Sequence, residues 1–195
     1  MPTTSKLKTD YFLNRIALEE MTNVDDINPI NALHRIFNFA TLPQMLELFR
    51  DFSSAAIENK YDCKKSDPGS LIYFANRLEE MIEACFLLNR SKKNLRSLKI
   101  IKRKIPVSRI RLTEKESGNP TIVIEQFFKY KSLPKWKEAL HNWIECALSN
   151  YSIVERINPD ELLPFCEHIE KLMEASYSLY TVLHRSNNTP KKMIN

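Results

Sequence analysis

Glycine is almost absent from this chain: Gly69 and Gly118 are the only two among 195 residues. Phosphate-cradling loops and dinucleotide fingerprints need several glycines at fixed spacing, and tight hairpins favour them, so composition excludes most nucleotide-dependent enzymes. Cysteine is scarce and scattered. Cys63, Cys85, Cys146 and Cys166 show no CxxC or other metal-ligand spacing, and three of them sit inside apolar helical patterns as small core residues. That usage predicts reduced thiols and a cytoplasmic setting. Long apolar runs are also missing. The longest uncharged apolar stretch, Ala84 to Leu88, is far too short to cross a bilayer, and the opening MPTTSKLKTDYFLNR lacks the apolar segment of a secretory signal. No membrane partner and no cofactor are expected.

What is present is enough apolar material, 43% hydrophobic and 10% aromatic, to bury a core lying in size between one large domain and two small ones. Residues 28–91 match residues 119–182 without a gap at a constant offset of 91. The match contains 15 identities in 64 positions, where composition alone gives about four, so a tandem duplication is expected. Asn28-Pro29 pairs with Asn119-Pro120, Leu42-Pro43 with Leu133-Pro134, Pro68 with Pro159, and Glu83-Ala84 with Glu174-Ala175.

The shared punctuation is that of helix starts. Asn28, Asn119, Asp67 and Asn158 each put a capping side chain before a proline, and Thr41 and Ser132 repeat the theme before Leu-Pro. Each unit therefore reads as three helices, near 29–40, 42–60 and 68–91 in the first copy, and near 120–131, 133–149 and 159–185 in the second. Apolar spacing agrees. Leu42, Met45, Phe49, Phe52 and Ala56 form one helical stripe, echoed by Leu133, Trp136, Leu140, Trp143 and Ala147. The third helix repeats this with Leu71, Phe74, Leu78, Met81, Cys85 and Leu88, echoed by Leu162, Phe165, Ile169, Leu172, Ser176 and Leu179.

One segment argues for a strand: Thr121-Ile122-Val123-Ile124 is β-branched, and a hairpin over 107–127 is the alternative to a helix there. Its partner Ile30-Asn31-Ala32-Leu33 leads into a better helix, so the helical reading is preferred. The fold class predicted is all-α, a pseudo-symmetric bundle of seven or eight helices. Its parts are an N-terminal helix in 1–27, the unit 28–91, a basic connector 92–118, the unit 119–185, and a flexible tail 186–195 without apolar pattern.

Acidic residues are absent from 84–113, which holds ten cations: Arg90, Lys92, Lys93, Arg96, Lys99, Lys102, Arg103, Lys104, Arg109 and Arg111. The rest of the chain has 19 basic against 24 acidic residues, so the formal charge of +5 comes from this segment alone. Such a stretch suits phosphates. Between Arg90 and Arg111, however, it lacks the aromatics that stack on bases, and Leu95, Leu98, Ile101 and Ile105 give it an edge to lay on the body.

Carboxylates recur four residues apart on each third helix, as Glu79 with Glu83 and Glu170 with Glu174. If they converged they would suit a divalent metal or a partner's lysines. The histidines of a di-iron bundle need Glu-x-x-His twice, and only Glu138 to His141 supplies it; its counterpart ends in Arg50. A metal site is therefore not expected. Histidine and cysteine offer no better catalytic pair: His141 and His168 align with Arg50 and Arg77, which argues for surface, and Cys146 and Cys166 align with Ala55 and Ala75. The end of each third helix is apolar on more than one face, so Phe86, Leu87, Tyr177 and Tyr180 are expected either at the junction of the copies or in a groove for a partner helix. The functional expectation is a non-enzymatic scaffold or adaptor that binds another protein. The alternative is a nucleic-acid-associated protein using residues 90–111.

Overall fold

The computed structural model describes residues 14–20, 27–58, 67–91 and 111–188, and all regular structure among them is helical. In chain order the helices are α1 (Asn14–Glu20), α2 (Pro29–Phe39), α3 (Leu42–Ile57), α4 (Pro68–Arg90), α5 (Glu114–Gly118), α6 (Thr121–Tyr130), α7 (Leu133–Ala147) and α8 (Pro159–Asn188). A single 3-10 turn, Ile153–Glu155, lies between α7 and α8.

Capping side chains set several of the starts, but not those of α6, which begins after Pro120 with no side-chain cap from Asn119, or of α7, where the Ser132 side chain makes no cap bond. Asn28 Oδ1 accepts from the Ile30 N–H at 3.0 Å, and Asp67 Oδ2 from the Ser70 N–H at 2.9 Å, each satisfying a donor that the first helical turn leaves open. Before α3 the Gln44 side chain reaches back to the Thr41 N–H at 2.8 Å. Proline in the first turn of α2, α3, α4 and α7 supplies the helical φ without forfeiting a needed donor.

The residues between Thr121 and Tyr130 form a helix, not a strand. Val123, Ile124 and Phe127 are buried there on one face, and that burial outweighs the β preference of the branched side chains. The helix there is as expected, whereas the 92–118 connector differs from expectation at its end. Residues 114–118 form the short helix α5, held by a capping box in which the Thr113 N–H donates to Glu116 and the Glu116 N–H to Thr113 Oγ1. At the other end of the chain α8 runs on to Asn188, past the expected boundary at 185. Residues 189–195, and the part of the connector and hairpin alternative before 111, lie outside the described residues.

Helices from both halves close one core. α3 lies against α7, α7 against α4, α2 against both α4 and α8, and α6 against α8 and α4. At the centre Phe52 stacks on Trp143 (6.4 Å between ring centroids), Trp143 on Phe165 (4.4 Å), and Phe127 on Trp136 (4.0 Å). Trp136 is fully buried, and its indole N–H donates to the Phe127 carbonyl at 3.0 Å, so the ring goes in without an unpaired donor. Each such aromatic contributes about 1.5–3 kcal/mol through the apolar surface removed from water.

Candidate functional site

The carboxylate pairs do not meet one another; each is committed to a different neighbouring segment. In the first half Glu79 accepts from Arg15 Nε at 3.0 Å and pairs with Lys137 Nζ at 2.8 Å. Glu83, fully buried, accepts from the backbone N–H of Ile16 at 2.7 Å, from that of Arg15 at 3.3 Å, and from Lys137 Nζ at 2.5 Å. In the second half Glu170 pairs with Arg111 Nε at 2.5 Å. Glu174 accepts from the backbone N–H of Arg111 at 2.9 Å and of Leu112 at 3.2 Å.

One device is thus built twice. The first glutamate of each pair takes an arginine side chain, and the second takes the consecutive backbone N–H groups of that arginine and the apolar residue after it. The sequence carries the signal as Arg15-Ile16 and Arg111-Leu112. A gapless comparison misses it, because these two dipeptides are 96 residues apart and not 91.

Burial pushes the Glu83 carboxyl above its ordinary value, and the Ile16 N–H and Lys137 offset this only in part. Glu174 is raised for the same reason against the Arg111 and Leu112 N–H groups. Burial also acts on Glu79, but there Lys137 and Arg15 outweigh it and hold the carboxyl below its ordinary value. Glu80, fully buried, is raised by burial although Arg35 at 2.6 Å and Arg77 at 2.7 Å both pair with it. These groups are engaged in holding helices together. Among the described residues no three His, Cys, Asp or Glu side chains gather as a metal-ligand set.

Two positions expected at the surface lie deeper. Arg77 is buried between Glu80 and Glu19, and His168 is half-buried against Tyr130, with ring centroids 4.3 Å apart. Burial lowers the His168 value, so the imidazole is neutral at pH 7. His141 does stand in solvent.

Of the ten cations in the basic stretch, Arg90 and Arg111 are described. Arg90 closes α4 with its guanidinium 5.9 Å from the Phe86 ring centre, and Arg111 is paired with Glu170. Lys92, Lys93, Arg96, Lys99, Lys102, Arg103, Lys104 and Arg109 lie outside the described residues.

Phe86, Leu87, Tyr177 and Tyr180 are half-buried. Phe86 meets Phe128 edge to face at 5.4 Å, and Tyr177 meets Phe37 edge to face at 5.2 Å. Tyr180 adds a contact to Phe37 at 5.4 Å and donates to Asn38 Oδ1 at 3.2 Å. The aromatic side chains at this place therefore touch the opposite half of the chain.

Apolar side chains stand exposed at matching places of the two halves. Phe39 is 52% exposed and Tyr130, 91 positions on, 45%; Ile72 is 42% exposed and Leu163, 91 positions on, 64%. Phe39 touches Tyr73 at 5.0 Å, and Arg77 lies 5.2 Å from the Tyr73 ring centre. Beside Tyr130 lies a shallow groove of about 200 Å³ bordered by Lys131, Lys135, Asn142 and Glu161 over Trp143 and Phe165. No helix among the described residues is long and apolar enough to cross a membrane. No protein-family model matches the chain, and neither a curated protein nor a solved structure matches it.

Proposed function

We propose that the chain is a non-enzymatic helical scaffold that binds another protein in the cytoplasm through exposed helix faces. The observation that carries this reading is the repeated exposure of large apolar side chains at Phe39 and Tyr130 and at Ile72 and Leu163. Such side chains contribute most to association when a partner removes them from water. The perturbed carboxylates support the same reading, since Glu80, Glu83 and Glu174 are each tied to internal cations or backbone N–H groups.

The test is a photo-crosslinking residue placed at position 39 and, in a second protein, at position 130, activated in cells that express the chain naturally. One defined protein captured from both positions is expected. Its capture should be lost when Ile72→Asp and Leu163→Asp are combined, because a charge cannot be buried in an apolar contact without a large cost. No defined product from either position overturns the proposal.

A second reading rests on the ten cations of residues 90–111. If these bind nucleic acid, affinity falls steeply as salt rises and drops further when Lys102, Arg103 and Lys104 become alanine. Apolar association through Phe39 and Leu163 is nearly insensitive to the same salt series, so the two readings separate in one experiment.

A further inference from the structure

We infer that residues 28–91 and 119–182 are two copies of one unit joined across an internal two-fold interface, and that this interface accepts the matching half of a second chain. In a two-fold interface residue i touches j while the counterpart of j touches the counterpart of i, and residues on the axis touch their own counterparts. Both signatures are present. Phe37 meets Tyr177 at 5.2 Å and 73°, and their counterparts Phe128 and Phe86 meet at 5.4 Å and 71°. On the axis Cys85 Sγ lies 3.1 Å from Ser176 Oγ, 91 positions away, and Phe52 stacks on Trp143, also 91 positions away.

The interface is large and apolar, since α3 lies on α7 and each also lies on the opposite unit's third helix. It takes in the first glutamate device as well: Lys137 of α7 reaches Glu79 and Glu83 of α4. What holds the two halves of one chain together is non-covalent and self-complementary, so a second copy of the chain offers the same surface. Exchange of halves between chains then forms a dimer with no new contact, its yield set by concentration against the effective concentration of the tethered partner.

The test uses the full chain with a specific protease site placed within residues 92–110. After cleavage the two pieces are expected to stay together through gel filtration. When a tagged and an untagged cleaved protein are unfolded and refolded together, capture of the tagged first piece should bring down untagged second pieces in near-equal share. Pieces that separate without denaturant, or one that remains a helical monomer alone, overturn the inference.

A substitution cycle reads the axis in the uncut protein. Phe52→Trp and Trp143→Phe each lower the denaturation midpoint, and combining them restores most of the loss, since the two positions are equivalent. The control exchange, Trp143→Phe with Phe165→Trp, involves touching residues that are not counterparts and restores little. Equal recovery in both exchanges overturns the two-fold assignment.

Discussion

Glu83 shows how much of the architecture rests on a single side chain. Its carboxylate lies fully buried on α4, yet its partners are two backbone N–H groups of α1 and the ammonium of Lys137 on α7. Replacing Glu83 with alanine strands those donors away from water and costs about 3 kcal/mol, read as a lower urea midpoint. A change within about 0.5 kcal/mol contradicts that role. The raised values of Glu80, Glu83 and Glu174 also fix a pH dependence. A carboxyl whose folded value is raised holds its proton more tightly in the folded state. Stability therefore increases as pH falls through the raised values toward the ordinary 4.5. Glu79 and Glu116, whose values are lowered, lose their ion pairs only as pH drops below 4.5 toward their folded values. Urea midpoints taken from about pH 8 down to about pH 3 should rise, peak on the acid side of neutrality and then fall. A steady decline from pH 8 contradicts the assignment. The apolar surroundings of Glu83 and Glu174, MIEACFLL and LMEASYSL, signal their burial, but not their partners. Glu83 and Ile16 are 67 positions apart, and a backbone donor leaves no trace in side-chain chemistry. Arg77 differs from the surface position its charge suggests for a related reason: Glu19 and Glu80 neutralise it in the interior.

At the scale of elements the sequence was most informative where chemistry is local. Asn28-Pro29, Thr41-Leu42-Pro43 and Asp67-Pro68 announce helix starts, and the helices begin there. The 3.6-residue apolar stripes place Phe49, Phe52, Trp136 and Trp143 in the core, where they are found. The only local signal of α5 is the capping box Thr113-x-x-Glu116, because five residues are too few to show a periodic stripe. Thr113→Ala removes the acceptor of the Glu116 N–H and should cost about 1 kcal/mol. Thermal unfolding of the variant checks this, and an unchanged midpoint contradicts the cap. The β-branched run at 121–124 went the other way, its local preference overridden by burial of Val123 and Ile124. The candidate site was legible only in part, because periodicity marks which side chains face inward but not which of the remainder a neighbouring helix leaves bare. Leu163 falls outside the Leu162, Phe165 and Ile169 stripe, but nothing in the sequence shows that no neighbouring helix covers it or Phe39.

For the whole molecule, the two halves share a single core in which Phe49, Phe52 and Phe74 of the first interleave with Trp136, Trp143 and Phe165 of the second. Neither half closes this core alone, so the chain is expected to unfold as one unit. The scaffold proposal depends on this, since a rigid body is what holds exposed faces in fixed relation for a partner. The charge of the connector serves a separate question, answered by salt dependence. Native-state hydrogen exchange tests the shared core most directly. The slowest amides of α3 and α7 are expected to exchange through one common opening with the same free energy and the same denaturant dependence. If one half opens at markedly lower free energy while the other keeps its protection, the halves are independent domains and the account fails.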